Sequence, residues 1–424
     1  MTHTRSAESP LANKLERFLH IWLRSKCFRT LWEMTMFDTV AADAAQAKIL
    51  TRRSMLRGIA LTAACAALTT QEVGLLKAKG LGDEAAELKP QNALKFILDA
   101  LRRFPLVAIG DRHGLQEIHD FLTALLFHPE LPQRLTDIVV EFGNARHQEL
   151  VDRFVLECRP VADTELQQIW RHTVGGGVLW DAPAYSQFFR NVRAVNWQRE
   201  PGRRLRVLLG DPPSDPSKIR SAADKEYVLG LAKQRDSHYA GIVEREVLAK
   251  GRRALLLAGS CHLLRGIQDN FNQPNAVTLL EKRHVGELFV VDPLILTPGI
   301  HPDGLLHRVQ TSTTTWYKPS CAMLAGTWLG ALTESSRPWI NSMAYRAIDA
   351  AAARYGAQAD AVLYLGPGEF LTASRADSAI YRTGDYAAEL RRLSQVLSQF
   401  GNSVDLVADG LRLSQAGPSW FAKS

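Results

Sequence analysis

Cysteine is scarce: 424 residues hold five, Cys27, Cys65, Cys158, Cys261 and Cys321. A set this small and widely spaced excludes a disulfide-built scaffold and a cysteine-rich zinc cluster, which need closely grouped thiols. The first two lie in a segment expected to be removed, and the other three leave room for one bridge and one free thiol. Long apolar runs are missing too. No stretch approaches the roughly 18 consecutive apolar residues of a membrane-spanning helix, so none is expected in the mature chain. A surplus of one charge is absent where it would matter. The net charge is +7, but residues 1–70 carry ten Lys and Arg against five Asp and Glu, leaving 41 against 39 for the remainder. That body shows no basic footprint, which argues against nucleic acid. No HExxH pair is present, and Gly175-Gly176-Gly177 follows no strand and lacks the lysine of a phosphate loop, so it is expected to be a flexible lid or linker.

What is present is the composition of a soluble globular protein, 46% hydrophobic and 22% charged. Its organising stretch is Leu106-Val107-Ala108-Ile109-Gly110-Asp111-Arg112-His113-Gly114. An apolar run of strand length leads into an acid, a histidine and a glycine, and apolar residues at 118, 121, 122, 125 and 126 then take up a helical period. The same strand, turn and helix recur at 137–155, where Glu141 ends the strand. Leu205–Asp211 is a third strand ending in an acid, and Ala254–Gly259 a fourth with His262 just beyond it. Successive units of this kind predict parallel strands with right-handed crossovers. Strands at 276–280 and 287–296 are expected to complete the sheet, and 361–366 reads as a further strand. Helices are expected near 342–354 and at 385–399. The fold class is therefore α/β, a mainly parallel sheet flanked by helices, with residues 71–298 as the core and 299–424 as an α-rich elaboration packed on it.

Ligand crevices of open α/β sheets lie at the carboxyl ends of the strands. Asp111, His113, Glu141, Asp211 and His262 fall there. Two histidines among carboxylates suit general base activation of water, or a divalent metal on His113 and His262 that does the same. Plainer roles are also open. Asp211 before two prolines would cap its turn, His119 would be an exposed helix residue, Arg235 and Asp236 a helix-surface ion pair, and Cys261 a buried, inert thiol.

Before the core, Arg52-Arg53 precedes the uncharged stretch 58–71 and resembles a twin-arginine export signal, placing the mature protein in the periplasm or cell envelope. Residues 1–33 are expected to be an upstream extension ahead of a start at Met34 or Met36, or a cytoplasmic segment whose Phe18, Ile21, Trp22 and Leu23 form an amphipathic helix.

Gly110-Asp111-Arg112-His113 with His119 resembles the G-E-x-H-x5-H signature of ChaN-like domains in the Tiki superfamily, a group that takes in erythromycin esterase-like proteins. Glu141 is similar to that group's second-strand glutamate, Arg235-Asp236 with Ala240 to its R-D-x3-A helix, and Ala258–His262 to its A-G-x-x-H strand end. The matches run in family order over residues 104–296. They imply an α/β fold whose site gathers His113, Glu141 and His262. They also imply one of three chemistries: hydrolysis of an ester with a base like His113, metal-dependent proteolysis, or haem binding. Asp111 stands where the family has glutamate, which retracts the carboxylate by about 1.5 Å. The single residue between acid and histidine matches the ChaN side. The expectation is an exported hydrolase acting on a small-molecule or peptide substrate through His113, Glu141 and His262, with Asp111, His119, Asp211, Arg235 and Asp236 as further substrate or metal contacts. The alternative is a haem- or metal-binding envelope protein without catalysis.

Overall fold

In this computed structural model the described residues are 85–174, 177–269, 271–296, 304–333 and 346–417. The export signal, the segment before it, Cys27, Cys65, Gly175 and Gly176 lie outside them.

The strands are β1 (Gln91–Asn92), β2 (Leu106–Asp111), β3 (Asp137–Asn144), β4 (Arg206–Asp211), β5 (Ala254–Gly259), β6 (Ile267–Gln268), β7 (Leu288–Pro293), β8 (Ser320–Met323), β9 (Arg346–Ala347) and β10 (Ala361–Tyr364). Eight of them form one sheet in the order β1-β8-β10-β7-β2-β5-β3-β4, and β6 pairs with β9. From β10 to β4 every neighbouring pair is parallel, while β8 and β1 run antiparallel at one edge.

Both faces of the sheet are covered, and the alternation of side chains shows it. Val107 and Ile109 of β2, with Leu255 and Leu257 of β5, enter one apolar layer, with α1 (Ala93–Arg103), α2 (Gln116–Leu126) and α3 (Pro183–Trp197). Leu106, Ala108, Leu256 and Ala258 enter the other, with α4 (Lys225–Glu246) and α6 (Ala276–Glu281). Strands apolar on both faces are what a parallel sheet between helices requires. The short helix α5 (Ser260–Leu263) follows β5 directly, and α7 (Gly384–Ser398) and α8 (Leu406–Ala416) close the chain. Among the described residues no helix is long and apolar enough to cross a membrane. Cys158, Cys261 and Cys321 are all free; Cys158 and Cys321 are buried, while Cys261, expected to be buried, is only half-buried.

Several expectations need correction. Residues 276–280 form α6, not a strand: the Asn275 side chain accepts from the Thr278 backbone N–H and caps the first turn, which outweighs the β-branched character of Val277 and Thr278. The described part of 342–354 begins as β9 and continues in turns, because Arg346 and Ala347 pair with β6. The last helix is α8, capped by Asp405, whose side chain accepts from Ala408 N. Residues 299–424 do more than pack on the core, since β8 and β10 are strands of the central sheet itself.

Candidate active site

Strands β2, β5, β3 and β4 are adjacent and parallel, so their carboxyl ends gather Asp111, Gly259, Glu141 and Asp211 at one rim. The pairing of β3 with β4 shifts between Val140 and Asn144. This irregularity at the strand end re-aims the side chains. Glu141 reaches over β5, where its Oε2 accepts from the Gly259 backbone N–H at 2.6 Å.

Glu141 is the keystone. Its Oε1 accepts from Arg235 Nη2 at 2.9 Å and lies 3.2 Å from His262 Nε2. Its Oε2 lies 3.9 Å from His113 Nε2. Burial pushes the Glu141 carboxyl up, but His262, His113 and Arg235 overcome it and hold the group well below the usual carboxylate range. On the far side of His262, Nδ1 meets Asp236 Oδ1 at 2.8 Å, and that oxygen also accepts from Ala276 N. Burial disfavours charge on His262, yet Asp236, Cys261 and Glu141 raise it well above its ordinary value of 6.5. His262 is thus an imidazolium between two carboxylates, 2% exposed.

Arg235 bridges from Glu141 to Asp211, whose Oδ1 accepts from Arg235 Nε and from Tyr239 OH, each at 3.0 Å. Asp211 Oδ2 accepts from Val174 N at 2.6 Å. Asp211 therefore fixes Arg235 instead of capping its own turn. Arg235 and Asp236 do not pair on the surface of α4 either. The two point to different partners at the rim, Arg235 to Glu141 and Asp211, Asp236 to His262.

His113 is, with Arg235, the most reachable group of the cluster. Its side chain is 17% exposed, against 6% for Asp111 and 3% for Glu141. His113 Nδ1 lies 3.0 Å from Asp111 Oδ2, and the same oxygen accepts from Tyr185 OH at 2.9 Å. Tyr185 in turn accepts from Gly114 N at 2.9 Å, and Gly114, at φ +78°, makes the turn into α2 in a conformation other residues rarely adopt. Burial opposes ionisation of Asp111, but His113, His119 and Tyr185 lower it below its ordinary range, so it stands as the carboxylate. The imidazole and the Trp180 indole meet at 4.6 Å between ring centroids and 77° between planes.

His119 is not exposed. It is 5% accessible on the inner face of α2, its ring edge-on to Tyr185 at 4.7 Å, and burial lowers its affinity for a proton. Its Nε2 is 3.9 Å from Asp111 Oδ1, and neither atom has a hydrogen-bond partner among the described residues.

These donors do not fit a divalent metal on His113 and His262. A ligating imidazole offers a lone pair, whereas both nitrogens of His262 are taken up by carboxylates that keep it protonated. Among the described residues no group of three or more His, Cys, Asp and Glu is placed to hold an ion.

Tyr185, Tyr239 and Trp180 are not singled out by the sequence. Tyr239 had a usable signal, lying four residues after Arg235 on the same helix face. Tyr185 and Trp180 had none, since an aromatic on an apolar helical stripe reads as core.

No family model and no curated protein matches the chain. Among solved structures the chain is similar to a succinoglycan biosynthesis protein (10% identity, 67% of this chain and 95% of that one, TM-score 0.46). It is similar also to an erythromycin esterase mutant in its open conformation (11%, 66% and 98%, TM-score 0.44). A third is ChaN of Campylobacter jejuni, solved with cofacial haem (16%, 52% and 90%, TM-score 0.33).

Two expected results arise from this geometry. A Cβ built on Gly259 would lie 2.9 Å from His113 Cε1, 3.0 Å from Nε2 and 3.3 Å from Glu141 Oε2. Gly259→Ala is therefore expected to displace the imidazole and to cost about 1–3 kcal/mol by overpacking, read as a lowered thermal midpoint together with altered His113 ring signals in NMR. An alanine variant with wild-type ring signals would contradict the close approach. The second concerns pH. Because His262 is raised in the folded state, its contribution to stability is complete below its unfolded value and is lost as pH rises through the folded one. Glu141, being depressed, contributes fully above the ordinary carboxylate range and loses its contribution as pH falls through its folded value. The His262 ring is accordingly expected to remain doubly protonated, with no titration step near pH 6.5, in ¹⁵N NMR of the labelled protein. A step there would mean the carboxylate sandwich is not formed.

Proposed function

We propose that the protein is an exported hydrolase in which His113 Nε2 is the general base that activates water. The observation that carries this reading is the 3.0 Å contact of His113 Nδ1 with the Asp111 carboxylate. An ionised carboxylate only accepts, so the ring proton resides on Nδ1 and the lone pair on Nε2, in the one ring of the cluster with solvent access. Water attacks the carbonyl carbon of an ester or amide while Nε2 takes its proton. The tetrahedral intermediate then expels the alkoxide or amine, which leaves with that proton, so that one water is consumed and one acid and one alcohol or amine are formed.

The remaining groups position this base. Asp111, held by Tyr185, fixes tautomer and ring angle. Glu141 stands behind His113 with its charge offset by Arg235 and His262, so a water gaining negative charge near Nε2 is not opposed by an uncompensated carboxylate. His262 is too buried and too fully engaged to touch substrate, and its role is to hold Glu141.

The test is a panel of esters, lactones and peptides offered to purified protein and to periplasmic extract, with wild type and His113→Ala compared after circular dichroism shows both folded. Turnover lost in the variant supports the reading. Equal turnover in both would sink the base, and activity confined to the cytoplasm would sink the export. No turnover, with a saturable Soret band on haem titration, would replace it with haem binding.

A further inference from the structure

His113 is walled by two stretches of chain, and one C-terminal segment grips both. On one side stands Trp180, edge-on to His113 and packed against Tyr185 at 4.8 Å. The indole is 1% exposed, and its N–H has no hydrogen-bond partner among the described residues. Its depth is therefore set by ring packing and by the backbone that carries it. That backbone is pinned at the next residue. Asp181, with a side chain 1% exposed, accepts from Arg171 Nε at 2.8 Å through Oδ1. Its Oδ2 accepts from Tyr386 OH at 2.6 Å and Tyr381 OH at 3.0 Å. The Arg171 guanidinium lies 3.6 Å from the centre of the Tyr386 ring, which fixes the donor in turn.

On the other side runs the turn that follows His113. Ser374 N donates to Gly114 O at 2.8 Å, and Gln116 N donates to Thr372 O at 2.9 Å. The Glu117 carboxylate accepts from Thr372 N and Oγ1. Ser374 Oγ accepts from Ala184 N at 3.1 Å, at the start of α3, the helix that carries Tyr185. Residues 372–386 thus touch the His113 turn, the Tyr185 helix and the Trp180 segment. A buried carboxylate with three side-chain donors is costly to build and costly to break.

We propose that Asp181 is a positioning residue for His113, acting through Trp180, and that the segment from Thr372 to Tyr386 is the strap that holds it in register. The inference rests on the hydrolase reading only in taking His113 to be the reacting group. In mechanism, Asp181 touches no substrate; it sets where the indole edge stops, and the indole sets how far the imidazole can swing from the Asp111 carboxylate.

The experiment compares wild type, Asp181→Asn, Trp180→Phe, the double variant and Tyr386→Phe, each full-length and labelled for histidine ring NMR. Asp181→Asn is expected to move the His113 ring resonances while those of His262 stay in place. Where a substrate is turned over, it is expected to lower kcat about 10- to 100-fold with KM within about twofold, the effect of a small misplacement of a catalytic group. Tyr386→Phe keeps the ring under Arg171 and removes one donor, and should move His113 in the same direction by less. In the Trp180→Phe background, Asp181→Asn should have little further effect, because the two act in series. Unchanged His113 signals in a folded Asp181→Asn protein would overturn the proposal, as would full additivity with Trp180→Phe. If Asp181→Asn does not fold, Tyr386→Phe decides on the same signals. Failure of the hydrolase reading would show as absence of turnover in wild type, and the ring signals would still decide the positioning.

Discussion

Glu141→Ala is expected to destabilise the protein by about 3–5 kcal/mol, the range for removing one partner of a buried ion pair. Three donors converge on this carboxylate, from Arg235, His262 and the Gly259 backbone. Its side chain is 3% exposed, so water cannot replace what the mutation removes. Arg235 keeps Asp211 and His262 keeps Asp236, which places the loss toward the lower end of the range. Glu141→Gln separates charge from shape. It keeps an acceptor for Gly259 N but no longer offsets two cations, so the proton affinity of His262 should fall, while Asp236 still raises it. Urea denaturation at pH 7 measures the first effect as a fall in midpoint with unchanged slope. A loss below about 1 kcal/mol in Glu141→Ala would mean the cluster is held by its backbone and not by this carboxylate.

His113→Ala is expected to remove about 10²- to 10⁴-fold in kcat/KM, the usual contribution of a positioned general base, with a much smaller effect on stability. The asymmetry with Glu141 follows from burial. His113 is one of the more accessible groups of the cluster, and its departure leaves Asp111 with the Tyr185 hydroxyl as a donor. Asp111→Asn is the companion variant. An amide at this position still accepts through oxygen, but if it presents its NH₂ to Nδ1 the ring proton moves to Nε2 and the base is lost. A partial loss in Asp111→Asn and a full loss in His113→Ala are the expected pattern, read from kcat/KM on the best substrate of the panel. Equal and small losses in both would assign His113 a structural role.

The sequence by itself determined the central parallel strands and the end of the sheet at which the acids and histidines gather. Apolar runs of strand length at 106–111, 137–144, 206–211 and 254–259, each closing on an acid or followed closely by a histidine, are local features, and period and turn residues are enough to read them. Asp111, His113, Glu141 and His262 were legible for the same reason. Tertiary structure decided what each of them touches. Strand order is a non-local property: β5 lies between β2 and β3, and only that insertion sets Gly259 against both His113 and Glu141 and brings His262 to Glu141. The pairing of Arg235 with Glu141 and of Asp236 with His262, in place of each other, depends on where α4 crosses the rim. The burial of His119, the role of Asp211 and the grip of residues 372–386 on the His113 turn depend on contacts between segments up to some 260 residues apart. Side-chain spacing along the chain fixes which face a residue takes, whereas its charge state and partner are set by the groups that packing brings against it, and those arrive from other strands.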